Sequence, residues 1–303
     1  MTIEQWVKEL ASITNKENIK INESLKKYTM TKLGGKADVF VMPETEEEAE
    51  EIVKYTYENK IPLLLLGNGS NMIVRDGGVR GIVLNLSKLN KIQIDENQVY
   101  AQSGALIIDV SKKAAEASLT GLEFACGIPG SVGGAMAMNA GAYGGEIKDI
   151  IVHSTVLTKQ GKRLVLTKDE LELGYRKSII AQEGYIVLSS LFQLEKGNKE
   201  EIDAKIADLT FKRESKQPLE YPSAGSVFKR PPGYFAGKLI QDSGLQGKGV
   251  GGAEVSTKHA GFIINKGNAT ATDYIETIKM VQRVVKEKFN VDLELEVKIV
   301  GED

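Results

Sequence analysis

Two stretches of the chain present little but backbone. Residues 66–78 read LGNGSNMIVRDGG and set Gly67, Asn68, Gly69, Ser70 and Asn71 side by side after the apolar run IPLLLL. Small residues in a row after a strand expose consecutive N–H groups, the arrangement with which proteins hold phosphate. Strand-like MIV and GIVLNL follow instead of a helix, so this is not the helix-terminus site of Rossmann or P-loop folds. Tight turns alone would use the same residues. The second stretch, CGIPGSVGGAMAMNAGAYGGE at 126–146, holds seven glycines and almost no charge. Side chains reduced to hydrogen or methyl suit close backbone approach to a flat, extended ligand. A dinucleotide lying between subdomains accounts for both stretches; a glycine-rich packing seam is the plainer alternative.

Three further residues have the chemistry of a reaction centre, each beside an ordinary reading. Arg176, in GYRKS, is an arginine next to a lysine, the usual look of a solvated surface charge. Ser226, in SAGSVF, follows a glycine and reads first as a turn residue. In VDLELEVKI, Val291, Leu293, Leu295, Val297 and Ile299 share one strand face and leave Asp292, Glu294, Glu296 and Lys298 on the other. Periodicity does not separate Glu294 from Glu296. Arg213 and Lys216 end a helix, where cations are favourable through the dipole alone. Lys229, in VFKRPP, is a further candidate for a carboxylate or phosphate contact.

Alternating strands and helices must position these residues. PETEEEAEEIVKYTYENK has Thr45 followed by Glu48, a capping-box spacing, then Ala49, Ile52, Val53 and Tyr57 on one face. Lying between ADVFVMP and IPLLLL, it predicts an opening βαβ unit. A helix is predicted at LIIDVSKKAAEAS, a hairpin turning at Gln160–Gly161, a polar helix before Pro218, and a helix capped by Thr270 and Asp273 ahead of the closing VDLELEVKI strand. The fold class is α+β.

Composition excludes several classes. With 42% hydrophobic and 26% charged residues and a net charge of −2, nothing favours a nucleic acid or membrane surface as partner. Cys126 is the one cysteine and His153 and His259 the two histidines, too scattered for a zinc site, so no metal is expected. A lone cysteine, no signal peptide and no apolar run near the roughly 20 residues of a membrane span make a reducing, cytoplasmic setting the expectation.

Taken in order, TKLGGKADVF, LLGNGSNMIVRDGGVRGIVLNL, GLEFACGIPGSVGGAMAMNAGAYGGEI, GYRKS, YPSAGSVFKRPPGYFAGKLIQDSGLQGKGVGGAEVSTKHAGFIIN and LELEVKIVG resemble the segments of the UDP-N-acetylenolpyruvoylglucosamine reductase (MurB) family. The match spans residues 28–301, and the SAGSVFK and GIPGSVGGA blocks together are its most specific part. The resemblance implies an FAD-binding fold of the vanillyl-alcohol-oxidase (PCMH) type in two subdomains, plus a C-terminal α+β substrate-binding domain. The corresponding blocks are an N-terminal helical extension at 1–27, an FAD-binding domain at 28–197 divided near 90, and a substrate-binding domain at 198–303.

That family pattern implies noncovalent FAD, since the first loop has neither histidine nor cysteine to anchor it. The diphosphate would rest on Gly67, Asn68, Gly69, Ser70 and Asn71. Gly127, Ile128, Pro129, Gly130, Ser131, Gly133, Gly134, Asn139, Gly141 and Ala142 would line the rest. NADPH would be the hydride donor and a small sugar nucleotide, UDP-N-acetylglucosamine enolpyruvate, the substrate. Arg176, Ser226 and Glu296 would be catalytic, Ser226 as proton donor; Arg213 and Lys229 would bind substrate. Two departures stand out: the family commonly has proline at the position of Leu295 and asparagine at that of Arg230. The chain also leaves no room after GYRKS for the tyrosine-bearing insertion of some members, which places it with the shorter type.

Overall fold

The apolar stripe of PETEEEAEEIVKYTYENK folds as predicted except at Tyr57, which is 52% exposed near the end of the helix. Helix Glu46–Glu58 buries Ala49, Ile52 and Val53, and the Thr45 hydroxyl accepts from the Glu48 N–H at 3.1 Å. The capping box is not closed on Thr45. The Glu48 carboxylate instead accepts from the Glu44 N–H and the Thr14 hydroxyl, each at 2.7 Å, which ties in the C-terminal end of helix Ile3–Ile13. That first helix contributes Leu10, fully buried, to the same core; such a side chain contributes about 1.5–3 kcal/mol.

This computed structural model describes all 303 residues. The chain forms two compact units that interleave in sequence: Met1–Ile21, Asp38–Asn68 and Gly81–Arg213 make the first, and Asn22–Ala37, Gly69–Arg80 and Glu214–Asp303 the second. Composition shifts mark boundaries along a chain but cannot show segments exchanged between units, so the sequence reading draws contiguous blocks at 1–27, 28–197 and 198–303.

Leu63–Leu65 runs parallel to Val79–Leu84 in a sheet ordered Ile19–Ser24, Lys36–Val41, Val79–Leu84, Leu63–Leu65, of which only Leu63–Leu65 falls wholly in the first unit. A five-stranded antiparallel sheet follows in the order Arg163–Thr167, Ile151–Leu157, Ile186–Gln193, Gln98–Gln102, Ile92–Asp95. The predicted hairpin is present, with Leu157 opposite Arg163 and Gly161 at φ +77°. Val99 and Ala101 pack with Val110 and Ala114 of helix Ile107–Glu116 and with Val132 and Met136 of helix Val132–Met138.

The second unit holds an antiparallel sheet ordered Ser223–Ser226, Phe262–Asn265, Ala253–Val255, Gly249–Val250. Helix Ala271–Phe289 starts in a complete Thr270–Asp273 capping box. Tyr274 is fully buried and its hydroxyl donates to the Ile263 carbonyl at 2.6 Å; burial pushes its phenol well above the ordinary range. The closing strand is shorter than predicted. Only Lys298–Val300 joins a ladder, parallel to Met72–Val74. Residues 291–297 meet one neighbour through a single bridge, Phe228 to Leu295, too little for a continuous ladder. No helix is long and apolar enough to cross a membrane.

Candidate active site

The first loop begins where Leu65 ends its strand. Its carbonyls are turned inward: the buried Asn85 amide donates to Leu66 O at 2.8 Å and to Gly67 O at 3.1 Å. The N–H groups of Gly67 and Asn68 meet no acceptor in the protein. The Asn68 side chain reaches across to the second glycine stretch and donates to Pro129 O at 2.6 Å. Within the first unit the two predicted cradle segments are therefore joined directly. Gly69, Ser70 and Asn71 belong to the second unit, where Gly69 sits at φ +61° and a Cβ on it would lie 2.1 Å from the Tyr28 carbonyl oxygen.

Gly67, Asn68, Ser103, Ser131, Gly133 and Gly134 line a cleft of about 710 Å³ in the first unit, with Leu65, Leu86, Ile92 and Leu106 as its apolar wall. A Cβ on Gly134 would meet only Ser131 Oγ, at 3.6 Å, and one on Gly67 only the same atom, at 3.1 Å. These two glycines keep the cleft open. Backbone donors at one end and apolar wall at the other fit a diphosphate carrying flat rings. Other glycines serve packing instead: a Cβ on Gly127 would lie 2.6 Å from Arg213 Cδ and one on Gly141 2.8 Å from Glu146 Cβ. Ile128 packs at the edge of the core, the Gly130 carbonyl accepts from Ile107 N–H at 3.0 Å, and Gly141–Ala142 pairs with Gly145–Glu146 as a small hairpin.

Asn139 takes a different place. It ends helix Val132–Met138 in the left-handed region, φ 44°, and is 1% exposed. Its amide donates to Glu146 Oε2 at 2.6 Å and to the Gly174 carbonyl at 3.1 Å, and its Oδ1 accepts from Lys148 N–H at 2.9 Å. The side chain is fully engaged within the protein.

Gly174 opens the turn that carries Arg176. Gly174 and Lys177 bridge each other through both backbone bonds, 3.0 and 3.1 Å, leaving Tyr175 and Arg176 at the tip. Arg176 is half-buried, stands over the Tyr175 ring at 5.5 Å, and holds φ at 52°, a backbone conformation that costs a non-glycine residue about 1 kcal/mol or more. Arg213, near the end of helix Lys199–Lys216, is half-buried beside Cys126 and Tyr143. Burial pushes its guanidinium below the ordinary value, with Tyr143 and Cys126 opposing. Cys126 lies against the same helix, 3.9 Å from Thr210 Oγ.

The second unit brings Ser226 and Glu296 together. Ser226 is the exposed last residue of its strand, after a bulge in which Gly225 takes φ +74°. Its neighbour Val227 accepts from Glu296 N–H at 2.8 Å, and Lys229 N–H donates to Glu294 O at 2.9 Å on the next rung. This rung pairing separates the two glutamates that periodicity leaves equal. Glu294 is exposed and ion-paired with Lys229 at 2.5 Å, whereas Glu296 is half-buried. Asn71 adds a link that its place in the loop did not signal: its amide donates to Glu296 O at 3.0 Å. No cluster of three or more His, Cys, Asp and Glu is placed to hold a metal ion.

Two family models match the chain. The FAD binding domain covers residues 37–167, and the C-terminal domain of UDP-N-acetylenolpyruvoylglucosamine reductase covers 217–300. The UDP-N-acetylenolpyruvoylglucosamine reductase of Geobacillus thermodenitrificans is 62% identical over 300 residues, 99% of each chain. The crystal structure of the Thermus caldophilus enzyme of that name (MurB) superposes with a TM-score of 0.80 at 36% identity, over 93% of this chain and 98% of that one. An alkyldihydroxyacetonephosphate synthase, 19% identical, shares only the fold, with a TM-score of 0.51 over 65% of this chain and 44% of its own. The chain belongs to the UDP-N-acetylenolpyruvoylglucosamine reductase family, an oxidoreductase that joins an FAD-binding fold of the vanillyl-alcohol-oxidase type to that family's C-terminal domain.

Proposed function

We propose that the protein reduces UDP-N-acetylglucosamine enolpyruvate to UDP-N-acetylmuramate at the expense of NADPH, as a cytoplasmic step of peptidoglycan precursor synthesis. When bound, noncovalent FAD supplies the hydride that NADPH brings and the enolpyruvyl methylene carbon receives. Gly67, Asn68, Ser131 and Gly134 hold the cofactor largely through backbone, within the block 28–197. The substrate is the task of the block 198–303 together with Arg176.

As the methylene is reduced, negative charge builds on the neighbouring carbon and its carboxylate. Arg176 offsets that charge with a fixed cation. Glu296 offsets it by donating a hydrogen bond in its protonated form, the role of a carboxylic acid kept neutral near pH 7. Ser226 then gives its hydroxyl proton to the carbon; a poor acid suffices because the acceptor is a strong base held within hydrogen-bond reach. Arg213 and Lys229 take the anionic part of the sugar nucleotide, Lys229 by exchanging its Glu294 partner.

The observation that carries this reading is the backbone bond from Glu296 N–H to Val227 O. It pairs the backbone of half-buried Glu296 with that of Val227, the residue after Ser226, which supports a shared role for the two. In stopped-flow experiments, Ser226→Ala should leave NADPH-driven flavin reduction nearly intact and slow reoxidation by substrate by several orders of magnitude. If both half-reactions slow equally, Ser226 is structural.

A further inference from the structure

We propose that Asn139 is a positioning residue for Arg176: with Ser178 it fastens the Tyr175–Arg176 turn to the end of helix Val132–Met138. The inference rests on the function proposed above. Both shoulders of the turn are held by two residues of one helix end, Ala137 and Asn139. The Gly174 carbonyl accepts from Asn139 Nδ2 at 3.1 Å, and Ser178 Oγ donates to the Ala137 carbonyl at 2.7 Å. Asn139 and Ser178 are buried, at 1% and 0% exposure.

Between these shoulders the Gly174–Lys177 bridge leaves a two-residue tip, Tyr175 and Arg176, and Arg176 holds a left-handed backbone. A short turn with one strained residue keeps its shape only if its ends are fixed. The left-handed backbone of Asn139 is itself braced, since its Oδ1 accepts from Lys148 N–H and its amide also donates to Glu146. The helix whose first turn lines the cleft therefore ends in the clamp that orients the turn bearing the catalytic arginine.

Asn139→Gly removes the Gly174 side of the clamp while suiting the left-handed backbone. Loaded with FAD, this variant should reduce flavin with NADPH within about twofold of the parent, while reoxidation by UDP-N-acetylglucosamine enolpyruvate slows about 100-fold. A double-mutant cycle with Arg176→Ala supplies the second readout: Asn139→Gly/Arg176→Ala should be no slower than Arg176→Ala alone. Equal slowing of both half-reactions, or additive losses in the cycle, overturns the inference. If Asn139→Gly does not fold, Ser178→Ala decides by the same two measurements, with the same outcomes for and against. A parent enzyme that reoxidises no faster with substrate than without it refutes the proposed function itself, which keeps the two failures apart.

Discussion

A Cβ built on Gly133 would lie 2.1 Å from Ser103 Oγ, and one on Gly145 would lie 2.7 Å from the Phe124 ring. A Cβ built on Gly225, beside Ser226, would meet nothing within 4 Å, and the same holds for Gly233 and Gly244. Each of these last three has positive φ, at +74°, +76° and +70°. In the 126–146 stretch glycine is mostly used to let neighbouring side chains approach, Gly144 excepted. At Gly225, Gly233 and Gly244 it is used to bend the chain. The same residue type answers two different physical demands. The demand decides what a substitution does.

The largest effect is expected where space is lacking. Gly133→Ala forces a methyl against Ser103, which is itself buried, and overpacking of this kind costs about 1–3 kcal/mol, occasionally more. Ser103 Cβ stands at 3.4 Å from the added methyl, so Ser103→Ala in the same chain should recover most of the loss. Chemical denaturation of the two variants checks this. If the second change restores nothing, the clash is not the cause, and Gly133 is there for its backbone.

At Gly225 only conformation is at stake. Gly225→Ala should lower stability by about 1–2 kcal/mol, the cost of a left-handed backbone for an L-residue, and Gly225→Asn should lower it less, because asparagine tolerates that region. An alanine variant as stable as the parent would show that the bulge relaxes and that the two regions are less different than their Cβ surroundings imply.

Much of this was legible along the chain. The first loop and the second glycine stretch announce themselves by composition, and Thr45, Thr270 and the Gln160–Gly161 turn mark element ends from local rules alone. The family and the FAD-binding fold could be read from motif order. What stayed hidden depends on partners distant in sequence. Glu294 and Glu296 alternate identically until Lys229 claims one and Val227 holds the backbone of the other. Residues 291–297 carry a strand pattern, yet strand pairing needs a neighbour that the pattern does not encode. Asn139 lies in a cradle of small residues and reads as part of it; only the Gly174 carbonyl, 35 positions on, shows whom its amide serves. The interleaving of the units is likewise a property of contacts between distant segments.

The smallest expected effect concerns a place in the second unit where glycine makes room rather than a bend. A Cβ on Gly261 would lie 3.1 Å from His259 Cε1, and the Gly261 N–H donates to His259 Nδ1 at 3.1 Å. The half-buried ring stacks edge-on against Phe262 at 4.8 Å. Burial lowers its pKa from the ordinary 6.5, and a proton on Nδ1 would also forfeit the Gly261 bond. Above the unfolded value both states are neutral and stability is complete. As pH falls below that value the unfolded chain takes up the proton first, so stability declines until the folded pKa is passed. The carboxylates held low by their partners, Asp76 and Asp273 among them, lose their contribution only in the more acidic carboxylate range. Thermal melts between about pH 7 and pH 5 thus isolate the histidine. His259→Gln, which keeps an acceptor for Gly261 N–H, should flatten the slope in that window. A slope unchanged in the variant would assign the pH dependence to another group and leave Gly261 with a purely steric role.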